Sequence, residues 1–287
     1  RGAVDSLSGR TAALVAASRA QEEAGASLAH AVAESFEVAH RHVAEGMTDG
    51  SLLRGEVLAR WQEFVGTGEF FRQVESTIGK WRDRVVAALK GTPPPPQTLG
   101  EALHTGVAAL VVANLEAATS DSARAWRRLP GGPELVAADP GLARPSTEAG
   151  ARVERLVRDW QGEVLELVRT EGQGRRTNAR IAAYGVNAIG LFLMLVAFAH
   201  TGGLVGAEIG IAGGTAVLAQ RVLEAVFGDQ AVREMAAKAR HRLLELTDEL
   251  YALERRRYAD VLSAHAAPVD QADRLAAVAD RLRAVSR

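Results

Sequence analysis

The sequence predicts an all-α protein: an elongated bundle of long amphipathic helices with an apolar, glycine-rich helical hairpin at one end. Three observations carry that prediction. Ala, Leu, Arg and Glu dominate, with apolar residues recurring at spacings of three and four. The alternating β-branched runs between turn residues that mark strands do not occur. The forty residues from Ile181 to Gln220 hold one formal charge, Glu208.

Composition narrows the functions open to the chain. At 287 residues, 47% hydrophobic and 24% charged, it has the make-up of a folded protein with a sizeable core. A net charge of −1 supplies no field to draw it onto nucleic acid, so no nucleic-acid partner is expected. Without cysteines it has no disulfide framework, thiolate metal site or cysteine nucleophile, which fits a reducing cytoplasm. The opening Arg1-Gly2-Ala3-Val4 is not followed by the pattern of a secretion signal, and the expectation is a piece of a longer protein.

The first helix is predicted from about Val4 to Glu45. Its stripe is Leu7, Leu14, Leu28, Val32, Phe36 and Val43, and Gly46 and Gly50 end it. A second helical region, Ser51 to Leu89, carries Trp61, Phe64, Phe71, Ile78, Trp81 and Val85 and is weakened at Gly66-Thr67-Gly68. Residues 1–91 thus form the first long helices. Pro93 to Pro96 make residues 92–98 a stiff connector, since proline lacks the N–H a helix needs.

Helix is expected again from Leu99 to about Leu129. The prolines and glycines of 130–145 then read as an irregular link, and Ser146 or Thr147 caps the next helix, which runs to about Glu171. That helix carries Val153, Leu156, Trp160, Val164, Leu167 and Val168. Residues up to 180 lead into the hairpin at 181–228. A long return helix reaches about His265, Pro268 breaks it, and Asp270 caps a short terminal helix.

The hairpin carries most of the functional information. Ile181 to Ala199 is nineteen residues without a charge, about 28 Å of helix and close to the hydrocarbon thickness of a bilayer. The second arm, Ile209 to Gln220, is about 18 Å, so a shallow or re-entrant hairpin fits better than two full spans. Candidate inserting residues are Leu191, Phe192, Leu193, Met194, Leu195, Val196, Phe198, Leu204, Val205, Ile209 and Ile211. Gly202, Gly206, Gly210 and Gly214 recur every four residues and let two arms pack closely. Arg175, Arg176 and Arg180 stand at the foot, where cations meet anionic headgroups. The bland reading is the buried central pair of a bundle, with Leu191, Phe192, Met194 and Phe198 as core.

Catalytic and metal-binding patterns do not emerge. Neither Gly66-Thr67-Gly68 nor Gly79-Lys80-Trp81 satisfies a phosphate-cradling loop, and no nucleophile elbow is present. Two Glu-x-x-His pairs, Glu37 with His40 and Glu101 with His104, suit a di-iron bundle but arise by chance at this composition. Arg255-Arg256-Arg257 reads as a solvated basic cluster. No enzyme, cofactor or metal is expected of this chain.

Two long strings carry a resemblance. Leu52–Phe71 (LLRGEVLARWQEFVGTGEFF) is similar to a stretch of large actinobacterial GTPase-domain proteins of dynamin-like type. So are Phe198–Leu204 (FAHTGGL), Gly213–Gln220 (GGTAVLAQ) and Phe227–Arg233 (FGDQAVR). The resemblance implies an amino-terminal GTPase domain before Arg1, with GTP and Mg²⁺ bound only there. It also implies that this chain is the stalk, with its hairpin in the place of a membrane-binding paddle. The implied partners are membrane lipid, further copies of the chain and its own GTPase domain, and the implied location is the cytoplasmic face of the cell membrane. An α-helical pore-forming toxin or effector, and a soluble scaffold with a permanently buried hairpin, are the alternatives.

Overall fold

The apolar three-and-four spacing does produce helices. A computed structural model describes residues 2–48, 96–171, 195, 223–268 and 270–286, and all their regular structure is helical. In chain order these are α1 (Gly2–Gly46), α2 (Pro96–Trp126), α3 (Gly132–Ala138), a 3-10 turn (Pro140–Ala143), α4 (Ala149–Glu171), α5 (Asp229–His265) and α6 (Gln271–Ser286). Residues 223–227 are helical as well. The second helical region from Ser51 to Leu89, the connector up to Pro95 and nearly all of the hairpin lie outside the described residues.

Two units gather segments far apart in sequence. Unit 1 takes Arg1–Ala39, Leu115–Ser146 and Tyr251–Arg287, and unit 2 takes His40–Asn114 and Thr147–Leu250. Unit 1 closes on aromatic rings. Phe36 meets Tyr251 and Tyr258 edge-on at 5.7 and 6.1 Å, and Trp126 meets Tyr258 at 5.3 Å. The Trp126 Nε1–H donates to the Leu28 carbonyl at 2.9 Å, which gives a buried indole the partner it needs. Gln21 donates to the His265 carbonyl, so within this unit α1 and α5 run antiparallel. The described residues of unit 2 bury mainly aliphatic side chains, among them Val107, Val111, Val153, Val157, Val164 and Val168, together with Trp160. Gly46 belongs here: a Cβ on it would stand 2.8 Å from Leu110 Cδ1, so glycine lets that leucine lie against α1.

Several sequence expectations change. Leu7 and Leu14 are 50% and 55% exposed, and the buried positions of that stretch are Thr11 and Ser18. A stripe fixes which residues share a helix face, but not which edge of that face a neighbour covers. The link at 130–145 is folded, not irregular. Pro133 sits in the first turn of α3, where its missing N–H is harmless, and Val136 and Leu142 are buried anchors. Pro96 likewise opens α2, so helix starts inside the expected connector.

Ser146 does not cap α4, because its N–H and hydroxyl both donate to the Glu254 carboxylate, at 3.0 and 2.5 Å. Thr147 donates to Glu148 instead. Asp270 sits at φ 65°, outside the usual cap geometry, and its backbone carbonyl accepts from the Arg274 N–H.

Glu254 is the centre of a polar knot in unit 1. Its carboxylate is fully buried, and Arg257 Nη1 donates to it at 2.8 Å. Arg257 also donates to the carbonyls of Arg144 and Gly141, at 2.9 and 2.8 Å. One turn along, the Tyr258 hydroxyl donates to the Leu142 carbonyl at 2.5 Å. Arg257 is therefore not part of a solvated cluster, whereas Arg256 is exposed.

Candidate functional site

The segment 172–222 is the chain's least ordinary sequence, and α4 and α5 are the helices on either side of it. Both are fastened within unit 2. On α4 the buried positions Val153, Leu156, Val157, Trp160, Val164 and Val168 fall at helical spacing, the pattern that makes this segment an amphipathic helix. The Trp160 Nε1–H donates to the Ala239 carbonyl at 2.8 Å. One turn on, Arg242 grips Glu163 with two parallel bonds, Nε to Oε2 at 2.6 Å and Nη2 to Oε1 at 3.0 Å.

The electrostatics of this clasp follow from that fork. Donation from Arg242 holds the Glu163 carboxyl below its ordinary value against an opposing effect of burial, and Glu163 raises the guanidinium in return. Both side chains are partly solvated, so the pair contributes less than about 1 kcal/mol and acts mainly to fix register.

From the Trp160–Ala239 bond each helix continues towards the apolar segment as a stem of similar length. From Trp160 to Glu171 the stem is about 17 Å long, and from Ala239 back to Asp229 about 15 Å. Val164 and Val168 on one, and Val232, Met235 and Ala236 on the other, are buried, so each stem keeps one apolar face covered. A break precedes α5 at Gly228, whose φ of 89° suits glycine, and Leu223 and Val226 just before it are buried. The arrangement is a mount: it tethers both ends of 172–222 to one fastened pair of helices.

Of the candidate inserting residues, only Leu195 falls among the described ones, and it is helical and fully buried. The other ten, the four hairpin glycines and Arg175, Arg176 and Arg180 lie outside the described residues. Among the described residues, no helix is long and apolar enough to cross a membrane.

The two histidines of the Glu-x-x-His pairs go to separate places. His40 Nε2 meets the Leu244 carbonyl at 3.1 Å. His104 bridges α2 to α4, with Nε2 at 2.5 Å from Glu154 and Nδ1 at 3.3 Å from Gln161. Among the described residues, no three His, Asp or Glu side chains gather as metal ligands.

Sequence reasoning missed the roles of Glu254 and Arg242. Glu254 had a readable signal, since it stands on the apolar stripe of Leu243, Leu250, Tyr251 and Tyr258. Arg242 had none, because its partner is 79 positions away. Comparison with known proteins returns no family model, no curated protein and no solved structure that matches the chain. The likeness to dynamin-like stalks rests on the strings at Leu52–Phe71 and Phe198–Arg233 alone.

Proposed function

We propose that this chain is the helical stalk and membrane-engaging hairpin of a dynamin-like GTPase, acting in membrane binding or remodelling and in self-association. The observation that carries the reading is the uncharged stretch Ile181–Ala199, preceded by Arg175, Arg176 and Arg180. The mount supports it, because a stalk that moves a lipid-gripping tip needs both ends of the tip tied to rigid helices. In this reading the arginines meet anionic headgroups at the cytoplasmic face of the membrane. Residues such as Leu193 and Phe198 enter the acyl boundary, each buried CH₂ contributing about 0.8 kcal/mol. Nucleotide chemistry belongs to a separate GTPase domain.

Flotation with anionic vesicles at low and high salt tests the reading. Wild type floats at both, and Leu193→Glu loses the salt-resistant part. Equal flotation of the two would sink insertion by this hairpin.

A second reading has an observation of its own. Leu195 is fully buried, as it would be in a soluble scaffold whose hairpin never leaves the core. The two readings part on Leu195→Glu. A permanent core residue makes that variant unfold, whereas a residue sheltered only at rest gives a folded protein with altered vesicle binding.

A further inference from the structure

An open groove of about 620 Å³ lies between α1 and the carboxy-terminal end of α2, within unit 1. Ala31 and Ala125 line it half-buried, and Ala26, His30, Glu34 and Arg128 line it exposed. Among the described residues, none of the three charged or titratable side chains there has a hydrogen-bond or ion-pair partner. Elsewhere in unit 1 the arginine at 257 is fully committed, so an unpaired acid and base on one groove are a contrast.

Their order along the groove follows from the packing of unit 1. Trp126 bonds the Leu28 carbonyl, and Tyr258, which meets Phe36, has its hydroxyl 3.3 Å from the Thr119 carbonyl. Rising numbers on α1 thus face falling numbers on α2, and the two helices run antiparallel. Arg128, two residues past Trp126, stands level with about Ala26. Glu34 stands eight residues further along α1, about 12 Å along the axis. His30 falls midway. The groove therefore carries a cation at one end, an anion at the other and small side chains between them.

Such a surface is complementary to itself. A two-fold axis through the His30 level turns the groove end for end, so that Arg128 of each copy faces Glu34 of the other. The alanines let the backbone of a second α1 come close. A small molecule fits less well, because its sites bury most of the ligand and this groove is open to water along its rim. A foreign helix would need the same two charges at the same spacing, which a second copy supplies by symmetry. We propose that this groove is an isologous docking surface for a second copy of the chain. It gives the self-association of the proposed stalk a surface, and it rests on that part of the reading. The groove covers less than the roughly 800 Å² per partner of a standard interface, so the dimer is weak and forms at about 0.1 mM and above.

Sedimentation of the full chain without lipid, from about 0.01 to 1 mM, tests it. Wild type shifts from monomer to dimer across that range. Glu34→Arg and Arg128→Glu each turn both cross-contacts into like-charge pairs and weaken the dimer roughly tenfold or more. Mixed in equal amounts, the two variants restore opposite charges at both contacts, and a heterodimer of about wild-type strength returns. Both side chains are exposed, so each variant keeps its helical circular dichroism. A wild type that stays monomeric throughout would overturn the proposal. So would single variants that dimerise as wild type does, or a mixture no stronger than its components. Since no vesicle is present, none of these results bears on insertion by the hairpin, which flotation reads separately.

Discussion

Each unit fastens a helix pair with an indole N–H, Trp126 to the Leu28 carbonyl in unit 1 and Trp160 to the Ala239 carbonyl in unit 2. What surrounds the indole differs. In unit 1 four aromatic side chains meet edge-on in three pairs, and a fully buried carboxylate takes three hydrogen bonds, each with its own required geometry. Among the described residues of unit 2 the buried side chains are mainly aliphatic, valine the most frequent, and the Arg242–Glu163 fork is partly open to water. Directional contacts specify one arrangement by angle as well as distance, whereas apolar packing specifies it mainly by shape. Unit 1 is therefore built to hold its shape. Unit 2, which carries the mount of the apolar segment, is held among its described residues by apolar packing and the Arg242–Glu163 fork.

The contrast breaks first on core truncations. Phe36→Ala removes a ring that touches two others and is expected to destabilise by about 3–5 kcal/mol in urea titration. Val164→Ala in unit 2 removes two methyl groups, for about 2 kcal/mol. Equal losses would erase the distinction. Glu254→Ala strands the Ser146 N–H and leaves the Arg257 guanidinium without its countercharge, and an effect of about 3 kcal/mol is expected. Adding Arg257→Ala should recover part of it.

Alkaline titration sharpens the same comparison. Burial, above all, raises the phenols of Tyr251 and Tyr258 above their ordinary value of 10.0. A raised folded-state value means the contribution is complete below pH 10 and is lost as pH climbs past it. Absorbance near 295 nm should show these two phenols ionising only as unit 1 unfolds. The smallest effect belongs to the clasp. Arg242→Ala should change stability by less than about 1 kcal/mol. The depressed Glu163 carboxyl adds stability above its ordinary 4.5, and that part fades as pH falls through the lowered value. Acid melts of wild type and Arg242→Ala should converge there.

The sequence made the helices legible because their apolar spacing is a local property, and it placed Trp160 and Val164 on the right face. It did not place Leu7 and Leu14, since periodicity is silent about which edge of a stripe is covered. The link at 130–145 looked irregular because prolines and glycines usually break helices. Here Pro133 opens a short helix, and Val136 and Leu142 give it something to bury. The Ser146–Glu254 bond spans 108 positions and the Arg242–Glu163 pair 79, separations at which a chain shows no pattern. The candidate site was half readable: an uncharged stretch can be counted, but the fastening beneath it only appears in the fold.

The most direct test of the membrane claim uses the chain's lack of cysteine, which gives a clean background for a single label. An environment-sensitive fluorophore would be placed on Leu193→Cys, with Leu14→Cys as a reference on exposed α1. On adding anionic vesicles, the probe at 193 should brighten and shift to the blue, and lipid-borne quenchers should dim it, while the probe at 14 stays unchanged. A probe at 193 that ignores both vesicles and quenchers, in a protein that remains folded, would contradict the account.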